Sequence, residues 1–445
     1  MTDPEHEIAE FVHEIQYSDL PKDVRDQVGL VIADTIGATI GGTGLPEVRQ
    51  LAKKEAASNP GEATILGTEY TAAPGHAALV NGTGGTSLEL DEGHKYAAGH
   101  PAIHALPVAL AKAEVHAASA ESFLSAFVAG YEVGVRVSRA CSPLVSPYHM
   151  HGVWGTVGAT AGLARLNDLS IDETIEALRI AANHALHTHF GTALEGATVR
   201  NTYAGSSNLS ATQVINQAES GFTGLQDGIQ RHLARTADSF DQSALTNELG
   251  ELWEINRGYF KLHAACRYTH PTLDAIDELE SENEISPDQI ESITIETYET
   301  AAKLTPARPS NPLQAKFSLP FAAATRLVNG NSNKESFTEQ AFTEPVLKLA
   351  DRVTVVESDD ISSRVPEERG ARVSITLGTE TISKEIRQAR GGAQRPFNED
   401  ELREKFDTLV EPVLGSDRSD ELWNTARTPA NAPPRTISGL TRPDL

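Results

Sequence analysis

Leu88-Glu89-Leu90-Asp91-Glu92-Gly93-His94 leads through a short stretch to His100-Pro101, after which Ile103 to Leu110 form a largely apolar run. The proline holds His100 extended and places it at the mouth of a helix, where anions are favoured. Acids and bases gathered where a loop meets a helix are the equipment for moving protons on a bound substrate. The same carboxylates would also serve as capping acids on a solvated loop, so the rest of the chain has to decide.

Working outward, Val24–Thr43, Pro101–Val115, Ala120–Ser138, Gly155–Leu166, Ile171–His184 and Asn208–Gln217 carry alanine, leucine and valine at helical spacing. Ala38, Gly41 and Gly42, and again Gly155, Gly158 and Gly162, are small enough to let helices approach closely. Glu62–Leu66 reads as a short strand. After Asp274 the pattern becomes alternating: Ile290–Tyr298, Arg352–Glu357, Arg372–Leu377 and Glu380–Ile386 read as half-buried strands, the last two joined at Gly378-Thr379. Leu319–Val328 and Ser336–Asp351 read as helices between the first two strands, and Glu399 to about Leu414 as a closing helix. The expected architecture is mainly α: a helical domain over 1–270, completed by 395–445, with an α+β lid over 271–394. The proline-rich tail after Thr428 is expected to be loosely ordered.

Composition narrows the function. A net charge of −25 argues against nucleic acid, which needs a basic surface. No apolar run reaches bilayer length and the acidic start lacks an export signal, so no membrane partner and a cytoplasmic location are expected. Twelve lysines against twenty-five arginines, within so acidic a chain, suggest a surface hydrated in a salt-rich, halophilic cytoplasm. Cys141 and Cys266 are the only cysteines, too few for an iron–sulfur cluster or a cysteine-rich zinc site. The pairs His149/His151 and His187/His189 lack a nearby cysteine or glutamate at ligand spacing, so no metal site is expected.

Several motifs stand in a telling order: Asp34-Thr35-Ile36-Gly37, Ala78 to Thr83, Leu88 to Pro101, His149 to Gly155, Arg200 to Gly205, Gly221 to Gly224, Phe260 to Pro271 and Ala315 to Phe321. Together they resemble the MmgE/PrpD family, which includes 2-methylcitrate dehydratase and cis-aconitate decarboxylase. The resemblance spans nearly the whole chain. It implies a large all-α domain with a smaller α+β lid, a homodimer, and a cofactor-independent site in the interdomain cleft. Departures are visible: Thr86, Glu89, Glu92 and Gly93 stand where the family motif has His, Asp, Asp and Thr, Arg200 replaces a lysine, and His151 a common threonine.

His100, His149 and Asp91 are thus the candidate acid–base residues, with base and acid unassigned. Arg200 and Lys261, joined by Glu89, Arg267 and His270, are the candidates for holding a di- or tricarboxylate. Arginine is favoured because its fork matches carboxylate geometry. The resemblance points first to a hydro-lyase acting on 2-methylcitrate or a similar tricarboxylic acid in propionate catabolism. Decarboxylation of cis-aconitate, epimerisation or isomerisation of a related acid, and carboxylate binding without catalysis are the alternatives.

Overall fold

The computed structural model describes residues 3–145 and 147–443. Its centre is a stack of helices that touch through small residues. Helix Lys22–Thr43 buries Val24, Val28, Val31, Ile32, Ile36 and Ile40. A Cβ on Gly42 would lie 1.8 Å from the Gly84 carbonyl of helix Pro74–Ser87. Helices Ala120–Ala140 and Met150–Leu166 close on each other in the same way, Gly158 standing 2.9 Å from the Gly130 carbonyl oxygen if given a Cβ. Backbones brought this near gain dispersion contacts that larger side chains would block.

The expected helices are present, several with extended ends: Pro101–Val115, Ala120–Ala140, Met150–Leu166, Ile171–Asn183, Tyr203–Glu219 and Glu399–Leu414. Pro101 occupies the first turn of its helix, where its missing N–H costs nothing. The α+β part is a four-stranded sheet in the order Val353–Glu357, Ile290–Thr297, Ala371–Leu377, Glu380–Ile386. The first pair is parallel and the others antiparallel. Ile290, Ile293 and Ile295, with Val373 and Ile375, turn inward beneath helices His270–Glu282 and Leu319–Asn329. The mainly α architecture with a smaller α+β unit is therefore as read from the sequence.

Three local readings are corrected. Ser336–Asp351 is not one helix: 3₁₀ turns at Lys334–Phe337 and Glu339–Ala341 precede helix Glu344–Ala350. Pro345, in the first turn of that helix, cannot continue an earlier one. The strand near Glu62 shrinks to Ala63–Thr64. The tail after Thr428 is ordered, because Pro434–Leu440 is a helix that buries Ile437, and Gly67 donates to the Thr441 carbonyl at 3.0 Å. Among the described residues, no single helix is long and apolar enough to cross a membrane.

Candidate active site

The acidic stretch leaves helix Pro74–Ser87 by a sharp turn in which Glu89 adopts φ +56°. A non-glycine residue in this left-handed region costs on the order of 1 kcal/mol or more and persists only where surrounding contacts demand it. Here those contacts are ionic. Glu89, 1% exposed, pairs through Oε1 with Arg200, and Lys261 Nζ stands 3.3 Å from its Oε2. Lys261, fully buried, also lies 3.6 Å from Asp91 Oδ1, and Asp91 Oδ2 is 2.9 Å from His100 Nδ1. Burial alone would raise both carboxylates. For Glu89 it is outweighed by Arg200, Lys261 and His100, and for Asp91 by His100, Lys261 and Arg200, so both are held below their ordinary range. Removing charges from water is tolerable only with such pairing.

Glu92 behaves oppositely. Tyr131 Oη donates to Glu92 Oε1 at 2.7 Å and the Ala102 amide to Oε2 at 3.2 Å. Burial dominates, and the carboxyl is pushed up to about 8. The acidic motif therefore divides into two ionised members facing cations and one neutral acid that anchors the start of helix Pro101–Val115.

His100 and His149 are the cap residues of helices Pro101–Val115 and Met150–Leu166, so two helix N-termini converge here. His151 bridges them: its ring centroid is 4.7 Å from that of His100 and 4.8 Å from that of His149. His104 Nε2 meets His151 Nδ1 at 3.1 Å. Burial first, then Arg200 and His100, lowers His149 well below its usual value; burial and His100 do the same to His151. His104 falls to about 3, chiefly through burial. Among the described residues, His100 alone of these four has a carboxylate within ion-pair distance. Phe190 stacks on His149 at 5.4 Å and Tyr203 meets it edge-on at 5.9 Å.

Arg200 sits in the 3₁₀ turn Thr198–Thr202 and stacks over Phe317 at 5.3 Å. Thr86, where the family motif has histidine, donates to the Asn201 carbonyl at 2.7 Å and so steadies that turn. Helix Glu399–Leu414 reaches in from the far end of the chain, its Lys405 donating to both Asp34 and the Leu90 carbonyl.

Asp91, Glu89, His100, His149, Arg200 and Lys261 thus form one buried group. Arg267 and His270 are not part of it. His270 Nε2 faces the Ala265 carbonyl at 3.1 Å and its Nδ1 faces Arg267 at 3.3 Å. Arg267 turns to the carbonyls of Phe260 and Ala389 and to the Tyr259 ring, 4.3 Å away. Three contributors escaped the sequence reading of the site. Lys316, 6% exposed, donates to the Ser87 carbonyl at 2.7 Å and is lowered to about 8, burial outweighing the pull of Glu89. Its motif, Ala315 to Phe321, was visible, but nothing in it marked the lysine as facing Glu89. His104 and His151 complete the imidazole group.

A helical protein with an α+β unit, built around buried carboxylates, imidazoles and cations, is equipped for proton transfer on an organic anion. The MmgE/PrpD N-terminal domain model matches residues 6–240 and the MmgE/PrpD C-terminal domain model residues 263–428, so the chain belongs to the MmgE/PrpD family. It is 26% identical to a cis-aconitate decarboxylase-like protein of Aspergillus oryzae, over 94% of this chain and 93% of that one. A cis-aconitate decarboxylase of Aspergillus terreus is 22% identical, over 94% and 91% of the two chains. That of Mus musculus is 24% identical, over 93% and 88%.

Proposed function

We propose that this protein is a cofactor-independent lyase that decarboxylates cis-aconitate or a closely related unsaturated tricarboxylate. The observation that carries the reading is the meeting, in one buried group, of Arg200 and Lys261 with a His100 paired to Asp91. The fungal and mouse relatives bear the name of that activity or are called similar to it, which moves decarboxylation ahead of the 2-methylcitrate dehydration favoured by the sequence.

In such a reaction one C–C bond breaks and its electron pair forms a new double bond as CO₂ leaves. The old double bond takes up a proton at its far carbon. Arg200 and Lys261 hold the carboxylates that remain, and the charge spreading onto those carboxylates in the transition state is stabilised by fixed cations. Glu89 already contacts both cations, so a bound carboxylate has to displace its oxygens from at least one. His100, with Asp91 as counter-charge, is the proton donor; a neutral His149 and His151 line the site without adding charge. Burial keeps water from competing for the carbanion-like intermediate.

The test is incubation of the purified protein with cis-aconitate, 2-methylcitrate and citrate, over a range of salt concentrations, with NMR identification of products. The expected result is CO₂ and methylenesuccinate from cis-aconitate. Loss of water from 2-methylcitrate instead would make the protein a dehydratase with the same clamp. Turnover of none of them, with binding retained, would leave a carboxylate-binding protein.

A further inference from the structure

Arg267, absent from the buried group, lies with other cations elsewhere. Lys95, Arg257, Arg267 and Arg369 line a cavity of about 660 Å³, mouth included, with Tyr259 and Tyr298 in its wall. No carboxylate lines it among the described residues, although the chain carries a net charge of −25. Arg257 is paired, 3.1 Å from Glu254 Oε2. Lys95, Arg267 and Arg369 have no carboxylate within ion-pair distance among the described residues. Each donates to a main-chain carbonyl, Lys95 to Glu367 at 2.8 Å, Arg369 to Lys95 at 2.6 Å and Arg267 to Ala389 at 3.1 Å, and Arg267 also meets His270 Nδ1 at 3.3 Å. Asp274 is in electrostatic reach of Arg267 but is taken by His263, at 3.2 Å, and by the Arg390 amide, at 2.6 Å. Tyr298, 3% exposed, keeps its hydroxyl buried without a partner.

Like charges lining one cavity without a counter-ion repel, and a protein with acids to spare has left these unmatched. Tyr298 and Arg369 flank strands of the four-stranded sheet, whereas Lys95, Arg257 and Tyr259 belong to the helical part. We infer that this cavity is a second anion site, distinct from the candidate active site. It takes a small di- or trianion bearing carboxylate or phosphate oxygens, and the ligand clasps the sheet unit to the helices. Forked guanidinium donors from two sides suit such oxygens. An anion binding there also supplies the missing acceptor for Tyr298.

Calorimetric titration of the full chain with inorganic phosphate, and separately with citrate, tests the inference. In the Arg200→Gln variant, at least one of the two probes is expected to bind still. In the Arg267→Gln/Arg369→Gln variant that binding is expected to weaken about 100-fold, as two charge-assisted contacts are lost. Binding of phosphate alone assigns a phosphate-type ligand, and of citrate alone a polycarboxylate. The inference is overturned if the double variant binds both probes as tightly as the unaltered protein. It is equally overturned if Arg200→Gln abolishes all binding, or if the unaltered protein binds neither. Should thermal unfolding show the double variant unfolded, Lys95→Gln replaces it, with weakening of about tenfold expected and unchanged affinity overturning the assignment.

Discussion

Two gatherings of cationic side chains share this molecule, one around Glu89 and one around Tyr259, and they differ in what neutralises them. Around Glu89, Arg200 and Lys261 face Glu89 and Asp91, so each of these two cations has a carboxylate partner before any ligand arrives. Around Tyr259, Lys95, Arg267 and Arg369 face carbonyl dipoles and one another's neighbourhood. The lesson is that cations packed against buried carboxylates are paired in advance, while a solvent-connected cavity can hold unmatched charge in reserve for a ligand.

The comparison breaks first at His100. If the matched group is where chemistry happens, His100→Ala lowers turnover of the tricarboxylate by about 10²–10⁴-fold, the usual contribution of a positioned acid, in steady-state assays. Next, Lys261→Met leaves Glu89 and Asp91 short of a cation in a fully buried place. Urea unfolding is expected to show a loss of about 3–5 kcal/mol, the typical cost of orphaning one half of a buried pair.

A smaller effect concerns the neutral acid beside the matched group. Folding raises Glu92 from 4.5 to about 8, so the folded state keeps a proton that the unfolded chain releases. Its stabilising contribution is complete below about pH 4.5 and is lost as pH rises through about 8. Glu92→Gln is expected to flatten that decline when unfolding is followed between pH 5 and 9. Least of all, Lys95→Gln removes an unmatched cation, and chemical denaturation without added anion is expected to move by less than about 1 kcal/mol. A loss as large as that of Lys261→Met would erase the distinction between the two groups.

The helices and strands were legible because their periodicity is strong and their neighbours are small or β-branched. Of the site, the loop residues Glu89, Asp91 and His100 announced themselves by chemistry at a helix mouth, and His149 and Arg200 by position in a recurring motif. Arg267 and His270 stand in one motif with Lys261, Phe260 to Pro271. The 3₁₀ turn Arg267–Thr269 instead directs the guanidinium to the Phe260 and Ala389 carbonyls, a matter of local geometry that spacing does not encode. Lys316 and His104 were missed for the complementary reason: each looks like an ordinary helical residue until distant segments are brought against it. The cavity around Tyr259 was invisible for the same cause, since its cations come from positions 95, 257, 267 and 369.

The grip of Lys405 on the Leu90 carbonyl and on Asp34 has a temporal meaning. A chain emerging from the ribosome exposes its acidic loop some three hundred residues before the ammonium that fastens it. Early helices can collapse during synthesis, as domains commonly do. The loop bearing Asp91 nevertheless has to wait until Lys405 has been made, so a product truncated before that residue lacks this clasp however much of its helical part has already formed.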